Sequence, residues 1–252
     1  MESFNLSSKE LMFLCAGMGA KEIYGVEDAY AGSEAHNISD EMVMIHNSLE
    51  KKGYIESDFD GNSGLRADLA EVIGMCAMCD KFIAADCQRA GSAAVNTAFY
   101  IMKDRAVKSC KTNEGYILQK ADINTITDYV RDLISFEIAD DIADFENVHM
   151  SLKELGEIKA TADAGDDVKA RERLDSHFDK TISHIILSAL KHNTDFCSIA
   201  AADFNNKSAR SIMLINSSSG LIRVEPLPDS GDVVFEKTDI ESVNALISEY
   251  LF

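Results

Sequence analysis

Two cysteines three positions apart, Cys76 and Cys79, form the most chemically suggestive motif in the sequence. A Cys-x-x-Cys pair supplies half of a zinc site or, where a strand meets the start of a helix, a redox centre. Zinc needs four ligands, and the sequence offers neither a second such pair nor a nearby histidine. The surrounding apolar residues place the motif in the middle of a predicted helix. Core packing is therefore the favoured interpretation, with redox chemistry and metal binding as alternatives.

Two other groups of polar residues could hold a metal ion. His177, His184 and His192 recur along one side of a predicted long helix, about 10–12 Å apart, which is too far for one ion. The acidic run from Glu137 to Glu146 lacks the alternating ligands, central glycine and final glutamate of an EF-hand. We therefore expect half-exposed histidines and a solvated acidic helix face.

Motifs of nucleotide binding and acyl transfer are missing from the sequence. Gly17-Met18-Gly19 follows a predicted helix, whereas a phosphate-binding loop follows a strand and ends in Lys-Ser or Lys-Thr. No Gly-x-Ser-x-Gly element occurs, and 43 acidic residues supply many carboxylate pairs by coincidence. We predict a protein that is not an enzyme and needs no metal or cofactor. An enzyme with an unrecognised site is an alternative.

The composition predicts a compact, acidic protein. The chain has 252 residues, 46% of them apolar, and only 2 prolines, so it can bury a large core without flexible linkers. A net charge of −19 disfavours binding to nucleic acid or anionic membranes. That charge either keeps the protein soluble or suits a partner with a basic surface. Six scattered cysteines predict buried free thiols and a cytoplasmic location: Cys15, Cys76, Cys79, Cys87, Cys110 and Cys197.

The N-terminal part is predicted to contain three helices followed by short strands. The apolar run from Leu11 to Ala20 resembles a secretory signal, but Ser7 and Glu10 match a capping box, which favours a helix through Gly17. Ser39 is the expected N-cap of a second helix, Asp40 to Lys52. Apolar spacing predicts a third helix from Leu65 to about Ala90. Strands are predicted at residues 95–102, 106–110 and 116–118.

The C-terminal part is predicted to begin with helices and to end with strands and a helix. Ser151 and Glu154 match a second capping box, and one long amphipathic helix is expected from Asp167 to His192. Thr238 is the expected cap of the last helix. Strands are predicted at residues 196–202, 211–216, 221–224 and 233–235.

Residues 116–134 and 233–251 align without gaps as a strand followed by an acidic cap and a helix. Three aligned pairs are identical, Lys120 with Lys237, Asp122 with Asp239 and Ile123 with Ile240, and nine are apolar in both copies. The same order of elements precedes each copy. This repeat predicts an internal duplication with antiparallel strands inside and helices outside.

In the order of these elements, the sequence resembles the EspG-type chaperones of type VII (ESX) secretion, and more closely the uncharacterised relatives from Gram-positive bacteria. The matching segments are LSSKELMFLCAGMGA, SLEKKGYIESDFDGNSGLRADLAEVI, GYILQKADINTITDYVRDLI and GDVVFEKTDIESVNALISEYL. Together they span nearly the whole chain, through pattern and order. The Gly-Arg turn common before the last strands of the actinobacterial members is replaced by Asn205-Asn206. Partner-contacting positions are therefore not transferred from the family.

The resemblance implies an α+β, quasi-twofold EspG-like fold with a central antiparallel sheet and flanking helical bundles. It also implies a cytosolic chaperone or adaptor that binds the hydrophobic end of a helical-hairpin substrate of the WXG or LXG type. The two halves are predicted at residues 1–136 and 137–252, in one compact unit. The candidate partner-binding residues lie on the C-terminal sheet, with ordinary core packing as the alternative: Phe196, Ile212, Met213, Leu214 and Leu221.

A winged-helix transcriptional regulator is a further alternative, because helix, helix and short strand occur in that order near the N-terminus. The second helix carries Asp40, Glu41 and Glu50 against Lys51 and Lys52. An acidic helix is poorly suited to the phosphate backbone of DNA. A protein partner is therefore the favoured prediction.

Overall fold

The computed structural model of the protein describes residues 2–30, 38–57, 63–134, 146–191, 194–217, 220–227 and 229–251. Within these ranges the strands are β1 (Ser3–Leu6), β2 (Ile55–Ser57), β3 (Ser63–Leu65), β4 (Lys81–Gln88), β5 (Val95–Met102), β6 (Arg105–Thr112), β7 (Gly115–Ala121), β8 (Val148–Ser151), β9 (Phe196–Asp203), β10 (Ser208–Ser217), β11 (Gly220–Leu227) and β12 (Asp232–Thr238). The α-helices are α1 (Ser8–Gly17), α2 (Ile38–Lys51), α3 (Ala67–Ala77), α4 (Ile126–Leu133), α5 (Leu152–Asp163), α6 (Asp167–Leu174), α7 (Lys180–Leu190) and α8 (Ile240–Leu251). The predicted α+β class is confirmed.

The chain divides into two compact units. Unit 1 consists of Met1–Ile83, Thr97–Ile126 and Ala202–Ser208, and unit 2 of Ala84–Asn96, Thr127–Ala201 and Ala209–Phe252. Most of unit 1 comes from the predicted N-terminal half and most of unit 2 from the predicted C-terminal half. The boundary of the halves at residue 136 stays a prediction.

In unit 1, the strands form an antiparallel sheet in the order β1-β7-β6-β5. Helix α3 packs against β6 and β7, and α1 packs against α2, α3 and β7. The strands supply buried Phe4, Tyr100 and Leu118, and the helices supply buried Leu11 and Ile73. The apolar faces of the helices and the sheet thus share one core.

The junction between β1 and α1 contains a buried carboxylate. Ser7 and Glu10 form the predicted capping box, in which the Ser7 amide donates to Glu10 Oε2 at 2.7 Å and the Glu10 amide donates to Ser7 Oγ at 3.2 Å. Glu10 also accepts from Ser48 Oγ at 2.7 Å and from Lys52 Nζ at 2.6 Å, and only 2% of the residue is exposed. The Glu10 side chain therefore also links the start of α1 to the end of α2 by hydrogen bonds.

In unit 2, the strands β9-β10-β11-β12-β8 are neighbours in that order. The pairs β10–β11, β11–β12 and β12–β8 are antiparallel. One face of this sheet contributes Ile222, Val224 and Phe235 to a core that also contains Leu174 and Ile186 from α6 and α7. The helices α5 to α7 therefore cover that face.

The aligned repeat has the same burial in both copies. Strands β7 and β12, which align in the sequence, alternate between partly exposed and buried residues in the same order. Asp122 and Asp239 each cap a helical turn after the strand, since each accepts a hydrogen bond from a backbone amide, Asn124 in one copy and Ser242 in the other. The internal duplication stays a prediction, and this agreement supports it.

The correspondence extends beyond the aligned residues to a strand and helix that precede each copy. Strand β1 pairs with β7 and leads into α1, and β8 pairs with β12 and leads into α5. Ser7 and Ser151 are the N-caps, and each accepts from the amide of a glutamate three residues later, Glu10 or Glu154. Sequence analysis predicted both caps but neither edge strand, because each strand has only 4 residues.

Several predicted boundaries are wrong. Helix α3 ends at Ala77 rather than near Ala90, since the following apolar residues form β4. The long helix predicted from Asp167 is two helices, because Asp179 caps α7 by accepting from Thr181 and Ile182 amides. Two predicted helix starts are also wrong. Ser39 lies inside α2 instead of capping it. The final helix begins at Ile240, and its capping hydrogen bond is accepted by Asp239 rather than Thr238.

Two cysteines of unit 2 are joined. Cys87 in β4 and Cys197 in β9 form a disulfide, with Cα atoms 4.0 Å apart. The prediction of free thiols is wrong for this pair, because neighbouring strands bring together residues separated by 110 positions in sequence. Cys15, Cys76, Cys79 and Cys110 are free thiols, as predicted.

None of the helices in the described ranges combines the length and the apolar character needed to span a bilayer.

Candidate protein-binding surfaces

Three of the five predicted partner-binding residues are consecutive in β10. Because side chains alternate along a strand, these three do not all lie on one face of the sheet. Met213 lies opposite Val224 and Leu214 lies opposite Arg223, so successive side chains point to opposite faces of the sheet. Ile212 and Leu214 are 1% and 0% exposed, whereas Met213 is 36% exposed. These three residues therefore do not form one surface. The predicted strand already implied this result, because successive residues of a strand face opposite sides of a sheet.

The other two predicted residues lie towards one end of β10. Leu221 pairs with Asn216 and is buried. The Asn216 amide donates to the Asp195 carbonyl at 2.9 Å, which places the next residue, Phe196, near the same end of the strand. Phe196 is partly exposed. Of the five predicted residues, only Met213 and Phe196 are accessible enough to contact a partner.

The buried members of the set lie on a face that also carries charge. Leu214, Leu221 and Arg223 point to the same side of the sheet. Arg223 forms ion pairs with Glu236 and, at 3.6 Å, with Glu225. We infer that Leu214 and Leu221 stabilise the sheet, while Met213 borders the helix-covered core on the opposite face.

The Cys-x-x-Cys motif lies at the end of α3, not in the middle of a helix as predicted. Cys76 is within the last turn of α3, and Cys79 follows Met78, the C-cap residue. Burial raises the pKa of the Cys15 thiol to about 12 and that of Cys76 well above its ordinary value. Burial and the neighbouring Asp80 raise the pKa of Cys79 to about 11. Because the thiolate is the nucleophile in thiol chemistry, these three cysteines are poorly suited to redox chemistry at neutral pH.

The raised pKa of Cys79 predicts slow alkylation. A shift from 9.0 to about 11 leaves about 100-fold less thiolate near pH 8 than an ordinary cysteine has. We expect the Cys79 peptide, followed by mass spectrometry, to react with iodoacetamide about 100-fold more slowly than in the urea-unfolded chain. The rate should rise about tenfold per pH unit up to roughly pH 10. A rate that rises only about three- to fivefold from pH 8 to 9 and levels off near pH 10 would show that the thiol ionises normally.

The predicted histidine and acidic groups do not form a metal site in the part of the chain that the structure describes, where no cluster of three or more His, Cys, Asp or Glu is arranged around one point. His177 Nε2 lies 3.2 Å from Glu154 Oε1, and His184 Nδ1 lies 3.0 Å from Arg171. His192 and most of the acidic run, residues 137–145, lie outside the described residues.

Unit 1 also contains an apolar groove that was not predicted from the sequence. It has a volume of about 350 Å³ and is lined by Met12, Phe13, Ala16, Tyr30, Glu41, Met42 and Ile45, which we call the α1–α2 groove. Two signals were available. Met42 and Ile45 are apolar residues three positions apart on the predicted second helix, and Met12 and Phe13 belong to the apolar run that resembles a secretory signal.

No protein-family model and no curated protein matches the sequence. A solved structure matches in fold, described as the Mycobacterium tuberculosis type VII secretion system chaperone EspG5 in complex with the PE25–PPE41 dimer. The match covers 99% of this chain and 96% of that chain, with a TM-score of 0.58 and 12% sequence identity. This chain therefore has the EspG-like fold that the sequence resemblance predicted.

Proposed function

We propose that this chain is a type VII secretion chaperone or adaptor that binds the hydrophobic end of a helical-hairpin substrate, of the WXG or LXG type, in the cytosol. The observation that carries this proposal is the EspG-like fold, which extends over 99% of the chain. The matched structure contains a chaperone in complex with a protein dimer. The resemblance in the order of sequence elements leads independently to the same family of chaperones.

The physical basis of this function is the shielding of apolar surface. The end of a hydrophobic helical hairpin exposes side chains whose burial is favourable by roughly 25 cal/mol per Å². A chaperone that covers this end prevents self-association of the substrate, and its own charge of −19 keeps the complex dispersed. We place the contact at Met213 and Phe196, the accessible members of the predicted patch.

A charged substitution at Met213 tests the proposed contact. Met213→Asp places a carboxylate where the partner's apolar side chains would lie, so we expect affinity for the substrate to fall about 30-fold or more. Because Met213 is 36% exposed, the thermal midpoint should change little. The measurement is co-expression with candidate helical-hairpin proteins of the WXG and LXG types, followed by size exclusion and titration calorimetry.

Met42→Asp is the matched control, since it makes the same change on the exposed surface of unit 1. Substrate binding by this variant should equal that of the unchanged chain. A thermal midpoint that falls sharply in Met213→Asp would mean that Met213 is a core residue. Failure of the unchanged chain to bind any helical-hairpin protein, together with a gel shift on DNA, would support the winged-helix alternative.

A further inference from the structure

The α1–α2 groove combines accessible apolar side chains from two helices. Met12 and Phe13 of α1 are partly exposed, and Met42 of α2 is 47% exposed. Val43 and Met44, the next two residues of α2, are 58% and 70% exposed, but at 100° per residue they point away from the groove. Unit 1 therefore presents apolar surface that its own described residues leave accessible.

Methionine gives this surface the ability to adapt to a partner. Met12 and Met42 line the groove. Unbranched, polarisable methionine side chains repack around different apolar shapes and are common at surfaces that bind amphipathic helices. The volume of about 350 Å³ is at the small end of the range for binding clefts, which suits a few side chains from one helix.

The charges beside the groove are mainly acidic. Glu41 lines it, and Asp28 accepts from the amide of Tyr30, another lining residue, at 2.9 Å. The basic side chain at the groove is Lys9, which forms an ion pair with Glu41 and lies 5.2 Å above the Tyr30 ring. A partner with basic residues beside its apolar face would complement this surface.

Two other occupants fit these observations less well. A second copy of this chain would also carry a charge of −19, so long-range repulsion opposes self-association. The segment at residues 31–37, which joins Tyr30 to α2, contains no apolar side chain larger than alanine. The copy lacks net positive charge, and this segment lacks an apolar anchor.

We propose that the α1–α2 groove binds an amphipathic helix of another protein, with large apolar side chains at helical spacing and Lys or Arg beside them. The apolar side chains enter the groove between Phe13 and Met42, and the basic residues face Asp28 and Glu41. This surface lies in unit 1 and is distinct from the contact proposed at Met213 in unit 2. The groove proposal does not depend on the chaperone function.

The test uses an 18-residue helical peptide of leucine and lysine as the probe, with a leucine and glutamate peptide of the same pattern as its counterpart. We expect the Leu/Lys peptide to bind the full chain in fluorescence anisotropy and to shift the methyl resonances of Met12 and Met42. Met42→Asp should weaken binding about tenfold or more. Since this substitution adds negative charge, purely electrostatic attraction predicts unchanged or tighter binding instead.

Val168→Asp is the matched control, because Val168 is 71% exposed on α6 and receives the same added charge. This variant should bind the Leu/Lys peptide like the unchanged chain. Equal weakening by Met42→Asp and Val168→Asp, or equal binding of the Leu/Glu peptide, overturns the proposal. The proposal is also overturned if sedimentation shows that the unchanged chain is a dimer and that Met42→Asp is a monomer.

Discussion

Gly115→Ala is expected to destabilise the fold by about 2–5 kcal/mol, which corresponds to a fall in Tm of roughly 5–15 °C. Gly115 begins β7, has a φ of +142° and lies against the end of β1. A Cβ atom at this position would lie 2.2 Å from the Leu6 carbonyl oxygen and 2.7 Å from the Ser7 Cα. Because both contacts are backbone atoms, β1 would have to move away from β7.

Gly53→Ala is the matched control for this substitution. Gly53 has a φ of +69°, but a Cβ atom there would meet nothing within 4 Å. Only the backbone conformation opposes alanine, so we expect a loss of about 1–2 kcal/mol. Urea unfolding followed by circular dichroism measures both variants, and hydrogen exchange of the Phe4 and Leu6 amides reports on β1. Equal losses in the two variants would rule out the close approach of β1.

Glu10→Gln is expected to destabilise the fold by about 2–3 kcal/mol, because the neutral amide loses its charge-assisted bonds with Lys52. The buried carboxylate accepts from Ser48, Lys52 and the Ser7 amide. Glu154→Gln is the matched control, since Glu154 is the corresponding residue of the second capped helix. Its side chain is 32% exposed beside His177, so a loss below about 1 kcal/mol is expected. Equal losses of stability in Glu10→Gln and Glu154→Gln would mean that burial of Glu10 does not strengthen its hydrogen bonds.

The effect of Glu10 should depend on pH. Burial alone raises the pKa of this carboxyl, but the hydrogen bonds from Lys52, Ser48 and the Ser7 amide outweigh it, and the pKa in the folded chain is lowered. The stabilisation is therefore complete above the unfolded value of about 4.3 and is lost as the pH falls through the folded value. The difference in urea midpoint between the unchanged chain and Glu10→Gln should be constant from pH 6 to 8 and shrink below about pH 4.5.

The two proposed surfaces assign different partners to the two units. Substrate binding is proposed at Met213 in unit 2, and helix binding at the α1–α2 groove in unit 1. Met213→Asp and Met42→Asp make the same chemical change, so each is the control for the other. If both variants lose both activities, a shared loss of structure would explain the result, and the thermal midpoints would show it.

Local patterns in the sequence were sufficient for much of the secondary structure. The capping box at Ser7, the N-cap at Ser151 and the α+β class were all predicted, because caps and apolar periodicity involve residues a few positions apart. Short segments were predicted less well. Strand β1 and the residues of β4 carry patterns that are too short to distinguish strand from helix.

Features that depend on residues far apart in the chain were decided only by the tertiary structure. The sequence by itself determined that Ile212, Met213 and Leu214 are apolar, but pairing with β11 and packing under the helices decided which of them is exposed. Likewise, the need for glycine at position 115 arises from the approach of β1, and the bond between Cys87 and Cys197 arises from two neighbouring strands. Burial and steric contact are properties of packed surfaces, and no local pattern specifies which surfaces will meet.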